Sequence, residues 1–501
     1  MKILLIGNNC EHTDSIATML AKDNSTTNNG LIDTENFQVS TAGYYHTSVA
    51  DLAFGEIIQI APQFNLIKLS DQPIDQWSHH RVFLQSYKLM RELDNLGLNT
   101  DYKDNKNVKK NLYFDNLLTN NPSFCMFPWM TVHPKNGYYY PCSRFREPVK
   151  KLSDIKDFAT DKDLAGLRNN MLHGIRIDAC KTCYNYEDKG IESYRQFESK
   201  DWISQIGIES LDDLHKITSP YYYEIFVNNT CNIMCRSCEP NWSHLIAQEA
   251  VDHGIIASDY TVRQTLASTD VVAIDTLTKK SRVYLHGGEP TVIKEVYDFM
   301  QKCIDQGKTD FQLAFCTNGQ KLSKKFLFLL SHFSNTHLSF SIDAYGKIND
   351  YWRHGSNWET IVANMKTVDQ MGCKTSFNTV PGIYNATNLH LLLEFADEHF
   401  PKSTFYMQIN NRDSQDVYNH PDSEAVCRSM ERCMQTNVYY SDGKSNKTCI
   451  DSIYNYYSNN PGFDPIRLQQ FFEENDRLDK IRNSYLKDYI PELDACRRFL
   501  Q

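Results

Sequence analysis

No apolar run in this 501-residue chain approaches the roughly 18 residues that a membrane-spanning helix needs. The opening Lys2-Ile-Leu-Leu-Ile-Gly7 stops at Asn8 and Asn9, too short for the core of a secretory signal. A cytoplasmic protein without membrane contact is the expectation. Positive charge is in deficit: 52 Lys and Arg against 62 Asp and Glu leave a formal charge of −10. A nucleic-acid partner, which asks for a basic stripe, is disfavoured, although a local basic groove is compatible with that total. The 15 cysteines are about 3% of the residues, far below the density of a disulfide scaffold. Missing too are the glycine-rich phosphate loops GxGxxG and GxxxxGK, the cobalamin-type DxHxxG signature and any solenoid repeat.

What is there points to several folded parts. The length suggests three or four domains, and 12% aromatic residues supply core for most of the chain. Residues 1–105 read as a small α/β, Rossmann-like domain. It opens with an apolar strand at Lys2–Ile6, a Gly7-Asn8-Asn9 turn and a helix over 15–21. A second strand is expected at 56–61, and a helix over 81–96 puts Phe83, Tyr87, Met90 and Leu93 near one face. The lysine- and asparagine-rich residues 101–111 read as a linker. Residues 106–215 form a cysteine-bearing segment with turn-forming Pro134-Lys135-Asn136-Gly137, where short strands and loops are pinned by something other than a core.

Over 216–411 the rhythm changes. Apolar strand-like runs at 222–227, 282–285, 311–315, 337–342, 374–380 and 404–409 alternate mostly with helical patterns at 293–304, 323–330, 358–371 and 388–399. This series predicts a parallel sheet, either curved into a partial barrel or doubly wound, with its chemistry at the carboxyl ends of the strands. Residues 412–501 read as a polar helical region, with helices expected at 423–435 and 465–486 and a last segment at 489–500.

Directly after the first of those strands stands Cys231-Asn-Ile-Met-Cys235-Arg-Ser-Cys238. Three thiolates in one loop can converge on one metal or cluster, and a four-iron cluster held by three keeps one iron open to a small ligand. On spacing alone a zinc site completed by His244, or an accidental grouping, stays open. Farther along, His286-Gly-Gly-Glu-Pro290 closes the second strand, Cys316-Thr-Asn-Gly319 the third and Ser341-Ile-Asp343 the fourth, with Arg353 ten residues on.

Taken in this order at strand ends, these motifs resemble the radical S-adenosylmethionine (SAM) superfamily over roughly residues 220–411. The resemblance implies a partial (β/α)6 TIM-like barrel, with Cys231, Cys235 and Cys238 holding a 4Fe-4S cluster that binds SAM. Gly287, Gly288, Glu289 and Pro290 match the motif that meets the SAM amino group, and Thr317 and Asn318 match its neighbouring turn. Ser341, Asp343 and Arg353 match the positions that hold the SAM ribose and carboxylate; a planar guanidinium suits a carboxylate because it donates two parallel bonds. The position before the third cysteine, often aromatic in the family, is Ser237.

Cys125, Cys142, Cys180 and Cys183 form a second set, able to satisfy zinc or an iron–sulfur cluster. This segment resembles the auxiliary-cluster domains called SPASM and twitch. Here it precedes the barrel, as in a group that also resembles the stretch with Glu187, Gly190, Ser193 and Arg195 and the C-terminal residues 478–493. Cys316 is either strand packing or a hydrogen-atom donor. Cys303 and Cys373 read as core, while Cys427, Cys433, Cys449 and Cys496 leave a third site open. No general base is marked.

The resemblance implies reductive cleavage of SAM to a 5′-deoxyadenosyl radical that abstracts a substrate hydrogen, with electrons from a flavodoxin or ferredoxin-type donor. A peptide or protein is the favoured substrate. Alternatives are oxidation of a small molecule, a non-catalytic zinc or iron–sulfur binding protein, and RNA modification, which the acidic balance disfavours.

Overall fold

The computed structural model describes residues 114, 117, 118, 120–188, 193–409, 414–440, 444–459 and 462–500, together with the backbone of five earlier strands. The chain divides into two compact units, Met1–Asn120 and Asn121–Gln501. In the first, β1 (Lys2–Ile6), β2 (Ser25–Thr27), β3 (Leu31–Thr34), β4 (Phe37–Ser40) and β5 (Asn65–Lys68) form a sheet in the order β2-β3-β4-β1-β5. Strand β1 runs parallel to β4 and β5, and β3 is antiparallel to both its neighbours. The strand expected at 56–61, the helices at 15–21 and 81–96 and the linker at 101–111 lie outside the described residues.

In the second unit the β–α rhythm becomes six parallel strands: β9 (Tyr222–Phe226), β10 (Arg282–His286), β11 (Gln312–Thr317), β12 (Asn335–Ser341), β13 (Lys374–Thr379) and β14 (Thr404–Met407). They pair in sequence order and form an open α/β partial barrel. Alternate residues sort cleanly. Tyr223, Ile225 and Val227 of β9, Val283 and Leu285 of β10, and Leu313 and Phe315 of β11 face out into one large core. Helix Lys294–Asp305 meets that face with Val296, Phe299, Met300 and Cys303, the spacing of one helical stripe. Ser323 and Asn357 cap the helices Lys324–Leu330 and Trp358–Gln370 by accepting from the Phe326 and Thr360 amides at 3.0 and 2.9 Å. The opposite face of each strand, carrying Glu224, Tyr284, His286, Cys316, Ser341 and Asn378, lines the lumen.

The cysteine-bearing segment joins this sheet. Strand β6 (Thr131–Lys135) pairs parallel with β9, and β7 (Tyr138–Tyr140) and β8 (Lys150–Lys151) continue antiparallel beyond it. The β6–β7 hairpin turns at Asn136 and Gly137, whose φ of 50° and 79° give the primed turn that matches strand twist. Short strands and loops are not all the segment holds, however. Helices Lys162–Leu172 and Tyr194–Ile206 are regular, the second started by a capping box between Ser193 and Gln196. Trp202 of that helix stacks on Tyr222 (5.3 Å), and Arg282 lies over the same indole (4.8 Å). Tyr222 and Arg282 begin their strands, so the helix closes the amino-terminal mouth of the barrel.

The C-terminal residues differ from expectation in two places. Within the region read as helical, a helix at Lys444–Asn459 was not singled out, and it packs beside β14. The helix Pro465–Arg482 ends early because Asn483 adopts a left-handed φ of 47°, after which Leu486–Tyr489 starts afresh. Among the described residues no helix is long and apolar enough to cross a membrane.

Phe326, fully buried, packs edge-on against Phe315 at 5.3 Å between helix and sheet. Phe326→Ala is expected to cost about 3–5 kcal/mol, read as a lowered urea midpoint of the full chain.

Candidate functional site

The cysteine loop leaves the end of β9 and lies on the loop after β10. The Gly288 and Glu289 amides donate to the carbonyls of Asn228 (2.8 Å) and Thr230 (2.7 Å). A side chain at Gly287 would put its Cβ 2.7 Å from the Asn228 oxygen, and one at Gly288 would run into the Thr230 carbonyl. The two glycines are therefore required by the cysteine loop's own backbone. Pro290 opens a buried single turn, Pro290–Val292.

Glu289, 1% exposed, is taken up by the fold. Its carboxylate accepts from the Thr291 amide and hydroxyl (3.1 and 2.6 Å), the Thr317 hydroxyl (2.7 Å) and the Asn318 amide (2.6 Å). It thus welds the β10 loop to the turn after β11. Gly319 completes that turn at φ +69°, where a Cβ would sit 2.7 Å from the Phe340 ring. The turn aims the Asn318 amide group at Asn232 Oδ1 (2.8 Å) and toward Cys231 Sγ (4.0 Å).

Arg353 reaches the second thiol: Nη1 lies 3.7 Å from Cys235 Sγ, and Nη2 pairs with Asp343 at 2.7 Å. Asp343, 1% exposed, also accepts from the Val380 amide (3.0 Å), so it stands behind Arg353 as its counter-ion. Arg353 Nε is buried with no hydrogen-bond partner. Across the lumen, Cys316 Sγ and Ser341 Oγ lie 3.3 Å apart, and Asn378 Nδ2 is 3.8 Å from the same sulfur.

One anchor of the loop escaped the sequence reading. Arg236, between two of the cysteines and 2% exposed, pairs with Asp479 of the C-terminal helix at 2.7 Å. It also donates to the Tyr351 carbonyl (3.0 Å), Asn475 Oδ1 (3.3 Å) and the Ser484 carbonyl (3.0 Å), and lies 3.8 Å over the Tyr351 ring. Arg482 holds the Met234 carbonyl at 2.9 Å while pairing with Glu249 at 2.7 Å. The available signal was a charged residue inside the cysteine motif, with an acidic partner due in a polar helix.

Burial and the neighbouring thiols push Cys231 up, and burial pushes Cys235 up against the pull of Arg353. Such thiols ionise when a metal replaces their protons. Among the described residues no three His, Cys, Asp or Glu side chains gather about a single ion. His244, the possible fourth zinc ligand, instead accepts the Cys231 amide on Nδ1 at 3.1 Å. The partly exposed thiols, the donors from Asn318 and Arg353 beside two of them, and the unpartnered Arg353 Nε fit a cluster with an anionic ligand.

The four cysteines of the second set lie in the segment that precedes the barrel, within range of one another's charge. Cys125 is raised to about 12 by burial and then by Cys183; Cys142 and Cys180 are raised by burial and by Cys125. Arg195 braces this region by pairing with Glu187 at 2.6 Å and donating to the Phe124 carbonyl, with Ser193 on the same carboxylate. Gly190 lies outside the described residues. Among the described residues the four C-terminal cysteines do not gather into a third site: Cys433 and Cys449 are buried in the barrel core, Cys427 packs against it, and Cys496 lies in a separate C-terminal cluster. Cys303 and Cys373 are core residues.

An α/β partial barrel with three cysteines in the loop after its first strand is an arrangement that can hold a metal or cluster. Residues 225–396 match the family model described as the Radical SAM superfamily. Among solved structures, SuiB of Streptococcus suis bound to the precursor peptide SuiA aligns at 14% identity and a TM-score of 0.30, covering 53% of this chain and 62% of SuiB. The structure of anSMEcpe with bound AdoMet aligns at 11% identity and a TM-score of 0.31, covering 44% of this chain and 59% of its own. The chain thus spans less than two thirds of these proteins. No curated protein sequence matches it.

Asp479→Ala strands the buried Arg236 guanidinium and is expected to cost about 3–5 kcal/mol in urea unfolding. Gly288→Ala, by pushing Thr230 and the loop behind it, is expected to lower iron retained after anaerobic reconstitution and to cost about 1–3 kcal/mol.

Proposed function

We propose that the protein is a radical SAM enzyme that modifies a peptide or protein. The observation that carries this reading is the cysteine loop, seated on Gly287 and Gly288, with Asn318 and Arg353 directed at the sulfurs of Cys231 and Cys235. Cys231, Cys235 and Cys238 would hold the 4Fe-4S cluster, and Gly287, Gly288, Glu289, Pro290, Thr317, Asn318, Ser341, Asp343 and Arg353 would form the SAM site. When bound, the cluster and SAM supply a 5′-deoxyadenosyl radical that takes hydrogen from the substrate.

The chain's own residues do the rest. Glu289 fixes the floor of the SAM site by bridging two strand-end loops. Asp343 keeps Arg353 charged and oriented. The helix Tyr194–Ile206 shuts the far mouth of the barrel and so excludes water from below. Cys316, between Ser341 and Asn378, is the candidate hydrogen donor. Cys125, Cys142, Cys180 and Cys183 would bind a second iron–sulfur cluster, in a twitch-like segment, and a flavodoxin or ferredoxin-type protein would deliver the electron. A lumen wall of polar and aromatic side chains suits an extended peptide, whose amides need both donors and acceptors.

Metal analysis of anaerobically reconstituted protein tests the reading. Roughly eight irons with matching sulfide should fall to about four in a Cys231/Cys235/Cys238→Ala variant, with loss of reductive 5′-deoxyadenosine release from SAM. Zinc without sulfide in both forms would overturn it.

A further inference from the structure

Midway along the lumen wall lies a buried acid for which the proposed chemistry has no task. Glu224 of β9 is 5% exposed, and its Oε2 has no hydrogen-bond partner. Its titratable neighbours at ion-pair distance are imidazoles: His133 Nδ1 at 3.8 Å from Oε2 and His286 Nε2 at 3.7 Å from Oε1. His133 Nδ1 also lies 2.9 Å from the Glu224 main-chain oxygen. A carbonyl only accepts, so Nδ1 carries the proton and is committed to that bond. His286 Nε2 is buried and without a partner, 3.7 Å being too long for a hydrogen bond. Burial holds the His286 ring down to about 4, so it is neutral at neutral pH.

An orphaned carboxylate oxygen and an orphaned imidazole nitrogen on one wall are an unfinished pair of hydrogen-bond partners. Leaving such a group unmet costs more than any single bond returns. Among the described residues no lysine or arginine side chain is paired with Glu224, and Arg282, lower on the same wall, is engaged by Gln312 and Glu198. The surroundings are aromatic: Tyr284 stacks on His286 at 5.1 Å and Phe226 meets it edge-on at 5.0 Å. A carboxylate beside aromatic rings favours a cation that brings its own N–H groups.

We propose that Glu224 and His286 form a subsite for a cationic nitrogen group of the substrate, an ammonium or a guanidinium. One N–H meets Glu224 Oε2, and a second meets His286 Nε2 when that ring carries its proton on Nδ1. Within the peptide reading, on which this substrate assignment rests, the side chain received is a lysine or an arginine.

Calorimetry on the cluster-reconstituted full chain tests the subsite with n-butylammonium, methylguanidinium and the neutral control 1-pentanol. Both cations should bind in the millimolar range and 1-pentanol should not. Glu224→Gln should weaken the cations about tenfold and leave SAM affinity within about twofold. If that variant does not fold, His286→Gln supplies the same contrast with an expected loss of about threefold. Unchanged cation binding in the variant, equal binding of 1-pentanol, or displacement of the cations by SAM would each overturn the proposal. So would a tightly held divalent metal, distinct from cluster iron, that chelation removes and Glu224→Gln abolishes. Cation binding without SAM cleavage by the native chain would sink the radical reading and leave the subsite standing. The reverse pattern would do the opposite.

Discussion

The buried pair between Arg236 and Asp479 is the contact on which the cysteine loop's geometry depends. A loop carrying three thiols has little apolar surface of its own, so its shape must be imposed from outside. Arg236 imposes it from beneath, reaching Tyr351, Asn475, Asp479 and Ser484 at once. The Met234 and Arg236 amides add bonds of 2.7 Å to the carbonyls of His354 and Trp352. Pairs of this kind add little net stability, because desolvation offsets attraction, but they fix one register against all others. The last part of the chain is thereby part of the site's foundation.

A second constraint is the division of each strand into an apolar outer face and a polar inner one. Parallel strands covered on both faces usually read as unbroken hydrophobic runs. Here Tyr222, Glu224 and Phe226 alternate with Tyr223, Ile225 and Val227, and only the latter join the core. The interior is left to groups that bind or react. The same alternation places Cys316 and Ser341 on one wall and Glu224 on the inner face of β9. Burial raises Cys142, followed by Cys125 and Cys180, with Glu224 adding the smallest push.

All six barrel strands were legible because apolar runs separated by helix-length intervals are a local signal. So were the strand-end motifs, although their bonding was not. The motif marks Glu289 as a cofactor contact, yet its carboxylate is engaged by Thr291, Thr317 and Asn318. Arg353 reads as a fork for a free carboxylate, and in the fold one arm already holds Asp343. Pairings between distant segments left no trace: nothing periodic links Thr131 to Tyr222 or Arg236 to Asp479. The helix Lys444–Asn459 was not singled out because its polar sequence hides the stripe of Cys449, Ile450, Ile453 and Tyr457 that it buries.

The six-stranded barrel sheet has two edges, and each meets another part of the chain. On one side β6 lies along β9, with β7 and β8 continuing the sheet beyond it, and on the other the Asn446 side-chain amide donates to the Phe405 carbonyl of β14 at 2.7 Å. Exposed edges invite strand addition by a second chain, and β6 removes that opening at β9. This junction also sets an order of assembly. The β6–β9 junction ties His133 to Glu224 across 91 residues, a loop whose closure must precede any reward from the pairing. Ribosomal synthesis delivers β6 first, and although β7 pairs on one side of it, its other side stays open until β9 emerges. The barrel's first edge is therefore completed by a strand made long before it, and the two cysteine sets are brought into one unit by that same late step.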